Sequence, residues 1–181
     1  PLTSAILVIK ANRMKPGASY TFSLSAELDT TFNSAKAFYT ISVNAPPSGG
    51  TLSVTPASGE GLKTYFDLST KLWSDLPDDL PMTYRFSYYA LQDGDDQNDP
   101  STWDLSGEGV LSDFEAPTGY EVQMSQGNEA MDYLVAVIVR VKDLYHSEAM
   151  ESAFVKVTPM EIDEDSETGF ADAMGDLAGS A

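Results

Sequence analysis

The chain has 181 residues, of which 42 % are hydrophobic and 10 % aromatic, enough to bury one ordinary domain core with some of another beside it. Its 28 acidic and 10 basic side chains leave a formal charge of −18, which excludes nucleic-acid binding, because phosphate recognition needs a basic footprint. With no Lys/Arg run the chain also disfavours an anionic membrane surface, and it attracts counter-ions such as calcium.

No stretch approaches the roughly 18 consecutive apolar residues needed to cross a bilayer. Cysteine is absent, so disulfides and thiolate metal sites are excluded. The chain opens at Pro1 without a methionine or an apolar signal segment, and it is expected to be a mature or excised piece of a longer protein.

In chain order, Ala5 to Ile9 is a short apolar run, and Lys15-Pro16-Gly17 is a turn signal. Ser19 to Glu27 sets Tyr20, Phe22 and Leu24 against Thr21, Ser23 and Ser25, the alternation of a strand with one buried face. Ala37 to Val43 repeats it with Tyr39, Ile41 and Val43. Three strands are too few for a free-standing sandwich, so residues 1–45 are expected to be the C-terminal strands of an upstream β domain. A rigid Pro46-Pro47 pair and a Gly49-Gly50 hinge then mark a joint.

Beyond the joint, turn signals recur at the spacing of an all-β sandwich. Expected strands are Thr51 to Thr55, Lys63 to Ser69, Met82 to Leu91, Trp103 to Leu105, Val110 to Phe114, Tyr120 to Met124, Asp132 to Val141 and Ala153 to Val157. In the strand from Asp132, Tyr133 and Val135, Val137, Val139 and Val141 face one way, and Leu134, Ala136 and Ile138 the other. That strand is expected to be central and covered on both sides. Residues 46–159 thus form one complete antiparallel sandwich with Trp73 buried between its sheets. Residues 160–181 begin as an acidic linker, with a short amphipathic helix expected over Ser166 to Leu177.

The words around the joint are Asn44, Pro46-Pro47, Gly49-Gly50, Ser53-Val54, Pro56, Gly59, Phe66, Leu68, Trp73, Asp78-Asp79, Leu80-Pro81 and Tyr84 to Phe86, preceded by Pro16-Gly17 and Tyr20 to Phe22. In order and spacing they resemble the receptor-for-egg-jelly (REJ) region of polycystins and related cell-surface proteins, over residues 5–158. The resemblance implies a tandem of fibronectin-type or immunoglobulin-like sandwiches in an extracellular protein, serving adhesion, ligand recognition or mechanical spacing. Members of that family commonly carry cysteines at the positions of Leu52 and Thr70; their joint absence marks this chain as a cysteine-free, divergent member.

Candidate chemistry is sparse. His146, the only histidine, has Asp143 and Ser147 beside it, but it reads as a solvent-exposed turn residue. Zinc lacks a second histidine or any cysteine. Asp93, Asp95, Asp96 and Asp99 supply hard oxygens around Gly94 and are the calcium candidates, although the EF-hand spacing and closing glutamate are missing. Asp75, Asp78 and Asp79 read as a capped turn. Tyr89 and Trp103 are the aromatics expected at the surface, where they could stack on a sugar.

Two functions follow from these features. One is a non-catalytic extracellular structural or adhesive module that associates with protein partners or neighbouring copies. The other is a ligand-binding domain recognising a glycan or calcium through the Asp93 to Asp99 loop. Neither needs a catalytic residue or a resident cofactor beyond calcium.

Overall fold

A computed structural model describes residues 6–28, 33–114 and 118–161. The described residues form ten strands: β1 (Ser19–Leu28), β2 (Asn33–Ser42), β3 (Thr51–Thr55), β4 (Ser58–Glu60), β5 (Phe66–Lys71), β6 (Thr83–Ala90), β7 (Gly109–Val110), β8 (Gly119–Val122), β9 (Leu134–Lys142) and β10 (Glu148–Thr158). They build a β1-β2 hairpin, a five-stranded sheet in the order β4-β10-β9-β6-β7 and a three-stranded sheet in the order β3-β5-β8. The two larger sheets are the immunoglobulin-like, fibronectin-type sandwich expected of the second half. The helix expected over Ser166 to Leu177 lies outside the described residues.

The main core lies between the sheets. β9 contributes Val135, Val137, Val139 and Val141, β5 contributes Phe66 and Leu68, and Phe86, Met124, Val155 and Val157 complete the cluster, all of them buried. Complete burial of such a side chain is worth about 1.5–3 kcal/mol. The other face of β9 is also covered, as its unbroken apolar run predicts: Ala136 and Ile138 pack with Tyr89, Leu91 and Trp103 in a second core.

Several sequence expectations are corrected. Tyr89 and Trp103 are core residues, stacked at 6.2 Å, with Phe154 edge-on to Trp103 at 5.9 Å. The segment from Leu91 to Gly107 folds back over the five-stranded sheet, and the Trp103 indole N–H donates to the Asp96 carbonyl at 2.8 Å. Around Trp103 the chain forms two short 3-10 turns, Pro100–Thr102 and Leu105–Gly107, where a strand was expected. Asp99 and Asp104 accept backbone N–H bonds at their starts; such local bonds compete with a sheet ladder.

Trp73 packs against the main core but is only half-buried, where full burial between the sheets is expected from the sequence. β5 ends at Lys71, Leu72 takes a left-handed φ of 65°, and the chain swings the indole over Gly50. Its N–H donates to the buried Thr70 hydroxyl at 2.6 Å, which in turn donates to the Thr51 carbonyl. Thr70 faces Leu52 directly in the β3–β5 register, so the two positions singled out by the family resemblance are cross-strand partners.

Between the expected strands Thr51 to Thr55 and Lys63 to Ser69 lies a further strand, β4, which pairs with β10 in parallel. The sandwich is therefore not wholly antiparallel. β9 starts at Leu134 because Asp132 and Tyr133 both hold left-handed φ values, 51° and 60°. Ahead of the joint, the described residues hold two strands in place of the expected three; Ile6 to Ile9 is exposed and outside any strand.

Candidate functional site

Two surfaces and one buried cluster carry the polar chemistry of the fold. The first surface is the outer face of the five-stranded sheet beyond the second core. Arg85 and Arg140 are register partners on β6 and β9, so two guanidiniums stand side by side. Glu108, delivered by the end of the Leu91 to Gly107 segment, offsets them: its carboxylate accepts from Arg140 at 2.7 Å and from the Ser87 hydroxyl at 3.1 Å, with Arg85 at 3.3 Å. Glu148 pairs with Arg140 and Lys142. This network locks the folded-over segment to the sheet.

The second surface is the hairpin. Its register puts Tyr20 with Ile41, Phe22 with Tyr39 and Leu24 with Ala37 on one face. The opposite face is rich in hydroxyls, bridged between Ser19 and Ser42 and between Thr21 and Thr40. The alternation gives a two-faced ribbon, with Phe38 on the hydroxyl face, but the apolar face expected to be buried is exposed at Leu24 and Tyr39. Leu24, Phe38 and Tyr39 are 59 %, 68 % and 71 % exposed, and among the described residues β1 and β2 ladder only with each other.

The buried cluster lies at the joint. After β2 the chain runs through Val43 and Asn44, where the Val43 amide donates to the Ala18 carbonyl and the Gly17 amide to Val43. The Asn44 side-chain amide donates to Asp143 Oδ2. Asp143 opens the β9–β10 turn, and its Oδ1 accepts from the Tyr145 and Ser147 amides at 2.8 and 2.9 Å. Asp79 ends the 3-10 turn Pro77–Asp79, and its carbonyl accepts from the Leu144 amide at 2.8 Å. That main-chain bond docks one turn on the other. Asp75 Oδ1 accepts from the Leu76 amide at 2.9 Å, but the 3-10 turn itself starts at Leu76 without a side-chain cap, unlike the capped turn expected from Asp75, Asp78 and Asp79.

The result is three carboxylates, from Asp75, Asp79 and Asp143, whose facing oxygens all lie within 4.8 Å of one another. Asp79 and Asp143 are buried. The Oδ2 atoms of Asp75 and Asp79 are buried without a hydrogen-bond partner. Burial, followed by the negative charges of Asp75 and Asp143, holds the Asp79 carboxyl above the ordinary aspartate range. Among the described residues none of the three is ion-paired.

The sequence-read calcium candidates are arranged differently. Asp95 Oδ2 accepts from the Gln92 amide, Asp96 Oδ1 from the Asn98 amide, and Asp99 Oδ1 from the Ser101 amide and hydroxyl. The Ser101 hydroxyl and amide hold Asp99 below the ordinary carboxylate range. Each carboxylate organises its own turn, and with Asp93 they are not gathered within 4.8 Å as the joint cluster is. His146 is exposed at a left-handed turn position, φ 65°, and the Asp143 carboxylate beside it is held by backbone amides.

Spacing could not have shown the joint cluster. Asp75 and Asp79 were visible as turn residues, but Asn44 and Asp143 are 99 positions apart and meet only through tertiary docking. A cleft of about 310 Å³ leads to it, lined by Ser42, Val43, Asn44, Leu76, Asp79 and Tyr145. A second, of about 220 Å³, lies beside Tyr89 and Asp104. The first sits at the lower end of the roughly 300–1,000 Å³ of small-molecule sites, and the second falls below it.

No helix among the described residues is long and apolar enough to cross a membrane. Neither the curated proteins nor the solved structures contain a match to this chain. The REJ domain model matches residues 2–178, nearly the whole length, as the sequence words around Pro46-Pro47 implied. The chain belongs to the REJ domain family.

Proposed function

We propose that this chain is a non-catalytic extracellular module of a larger cell-surface or secreted fibrous protein, structural or adhesive in role, which associates with protein through its β1–β2 hairpin. Residues 1–45 act as the closing strands of one β unit, residues 46–159 as a complete sandwich, and residues 160–181 as an acidic linker. The observation that carries this reading is the hairpin's apolar face, exposed at Leu24 and Tyr39, with strand edges that ladder to nothing else among the described residues. Unpaired edges of this kind add strands from another chain.

The occupant is a second copy of this chain. β1 and β2 carry one acid, Glu27, and one base, Lys36, so the hairpin is nearly neutral in a molecule of charge −18. Elsewhere two copies repel; here they meet without that penalty, and apolar face meets apolar face. Family membership and the small clefts support a role in association over one in catalysis.

Sedimentation equilibrium across a concentration series tests it. The chain should dimerise reversibly, and Leu24→Asp with Tyr39→Asp should abolish the dimer while leaving the melting curve of the sandwich unchanged. Both residues are exposed, so the variants should fold. A wild-type chain that stays monomeric at every concentration refutes self-association through this face.

A further inference from the structure

We propose that Asp75, Asp79 and Asp143 form a binding site for a hard divalent cation of the calcium class, with the Asn44 side chain as a further oxygen donor. The bound ion would tie the connector after β2 to two turns of the sandwich. This inference is independent of the hairpin reading above.

The geometry fits one ion. Two oxygens that ligate the same calcium at about 2.3–2.6 Å can be no more than about 5 Å apart. The three carboxylates bring facing oxygens within 4.8 Å of each other. Asp79, only 5 % exposed, aims a partnerless Oδ2 into the group, and Asp75 Oδ2 is likewise unsatisfied. A buried carboxylate oxygen with no donor and two like-charged neighbours requires a positive species. Among the described residues no Lys, Arg or His supplies it. A divalent ion leaves one net negative charge on the trio, whereas one shared proton leaves two.

The donor set selects the class. Every ligand is a hard oxygen, and the cluster contains neither imidazole nor thiolate, so zinc is disfavoured. The ligands come from separate segments, the connector at Asn44, the Asp75 to Asp79 turn and the β9–β10 turn, an irregular cage that suits calcium better than octahedral magnesium. Asn44 now donates its amide N–H to Asp143; a half-turn of that amide presents Oδ1 to an ion in the same place. The cleft beside Asn44 and Asp79 admits the waters that fill the remaining coordination positions.

Thermal melts of the full chain in EDTA, in millimolar calcium chloride and in millimolar magnesium chloride test the proposal, for wild type, Asp79→Asn and the loop double variant Asp96→Asn/Asp99→Asn. With calcium at about ten times Kd, the folded-to-unfolded ratio should rise about 11-fold, which raises Tm by about 3–6 °C. Asp79→Asn should lose that rise while melting no lower than wild type in EDTA, because the substitution removes a repelling charge. The loop variant should keep the rise, and magnesium should give less. The proposal is overturned by a wild type indifferent to calcium, by an equal rise in Asp79→Asn, or by a rise lost only in the loop variant. A wild type that ignores calcium while Asp79→Asn melts higher in EDTA assigns the cluster a shared proton in place of an ion.

Discussion

Gly50→Ala should be among the most damaging small substitutions in this chain, although the sequence presents Gly49-Gly50 as a hinge. Gly50 has an ordinary negative φ, so its freedom is not the reason it is there; Gly49, at φ +74°, is the one that needs to be glycine for its backbone. A methyl on Gly50 would lie 2.0 Å from Trp73 Cε2 and 2.1 Å from Cδ2, inside the body of a rigid ring. The indole cannot simply withdraw, because its N–H is bonded to Thr70 at 2.6 Å and its ring covers the main core. Overpacking of this kind costs about 1–3 kcal/mol, and losing the indole hydrogen bond adds about 1 kcal/mol. A total near 2–4 kcal/mol is a large fraction of the roughly 5–15 kcal/mol typical of a whole domain. Urea denaturation followed by far-ultraviolet circular dichroism measures it for wild type, Gly50→Ala, Trp73→Leu and the double variant. If the methyl acts through the indole, it should cost at least about 1 kcal/mol less in the Trp73→Leu background. A loss below about 0.5 kcal/mol in the single variant, or the same loss in both backgrounds, would refute the reasoning.

Trp103→Ala should destabilise the chain by about 3–5 kcal/mol in the same urea assay, since it empties the second core of a stacked and hydrogen-bonded ring; a loss under about 1 kcal/mol would return Trp103 to the surface role its sequence suggested. Glu108→Ala leaves Arg85 and Arg140 facing each other across β6 and β9 with only Glu148 nearby. Removing one partner of a buried pair costs about 3–5 kcal/mol, reduced here to about 2–3 kcal/mol by partial exposure and by Glu148. Glu108→Gln, which keeps acceptors for Arg140 and Ser87, should fall between wild type and alanine, and equal stability of all three would rule the network out.

Local pattern alone determined the all-β class, the two alternating strands of residues 1–45, and β9 as the strand buried on both sides. Those features depend on the period-two alternation of side chains, which needs no knowledge of neighbours: Val135 to Val141 must point one way and Ala136 and Ile138 the other. The word pattern around Pro46-Pro47 carried the REJ assignment for the same reason, since turn residues are chosen by their own backbone. What only the tertiary structure decided is everything set by return contacts. Trp103 reads as an exposed loop aromatic until the chain after Leu91 folds back over the sheet, and Trp73 reads as fully buried until Leu72 turns it onto Gly50. β4 goes unread because three residues cannot show periodicity; only pairing with β10 makes it a strand. The carboxylate cluster is the extreme case. Asp75 satisfies a local bond to the next backbone amide, and Asp143 those of a hairpin turn, but the Asp79 carboxylate caps nothing. Their convergence with Asn44 arises because the Leu144 amide docks on Asp79, a long-range contact with no trace in spacing or composition.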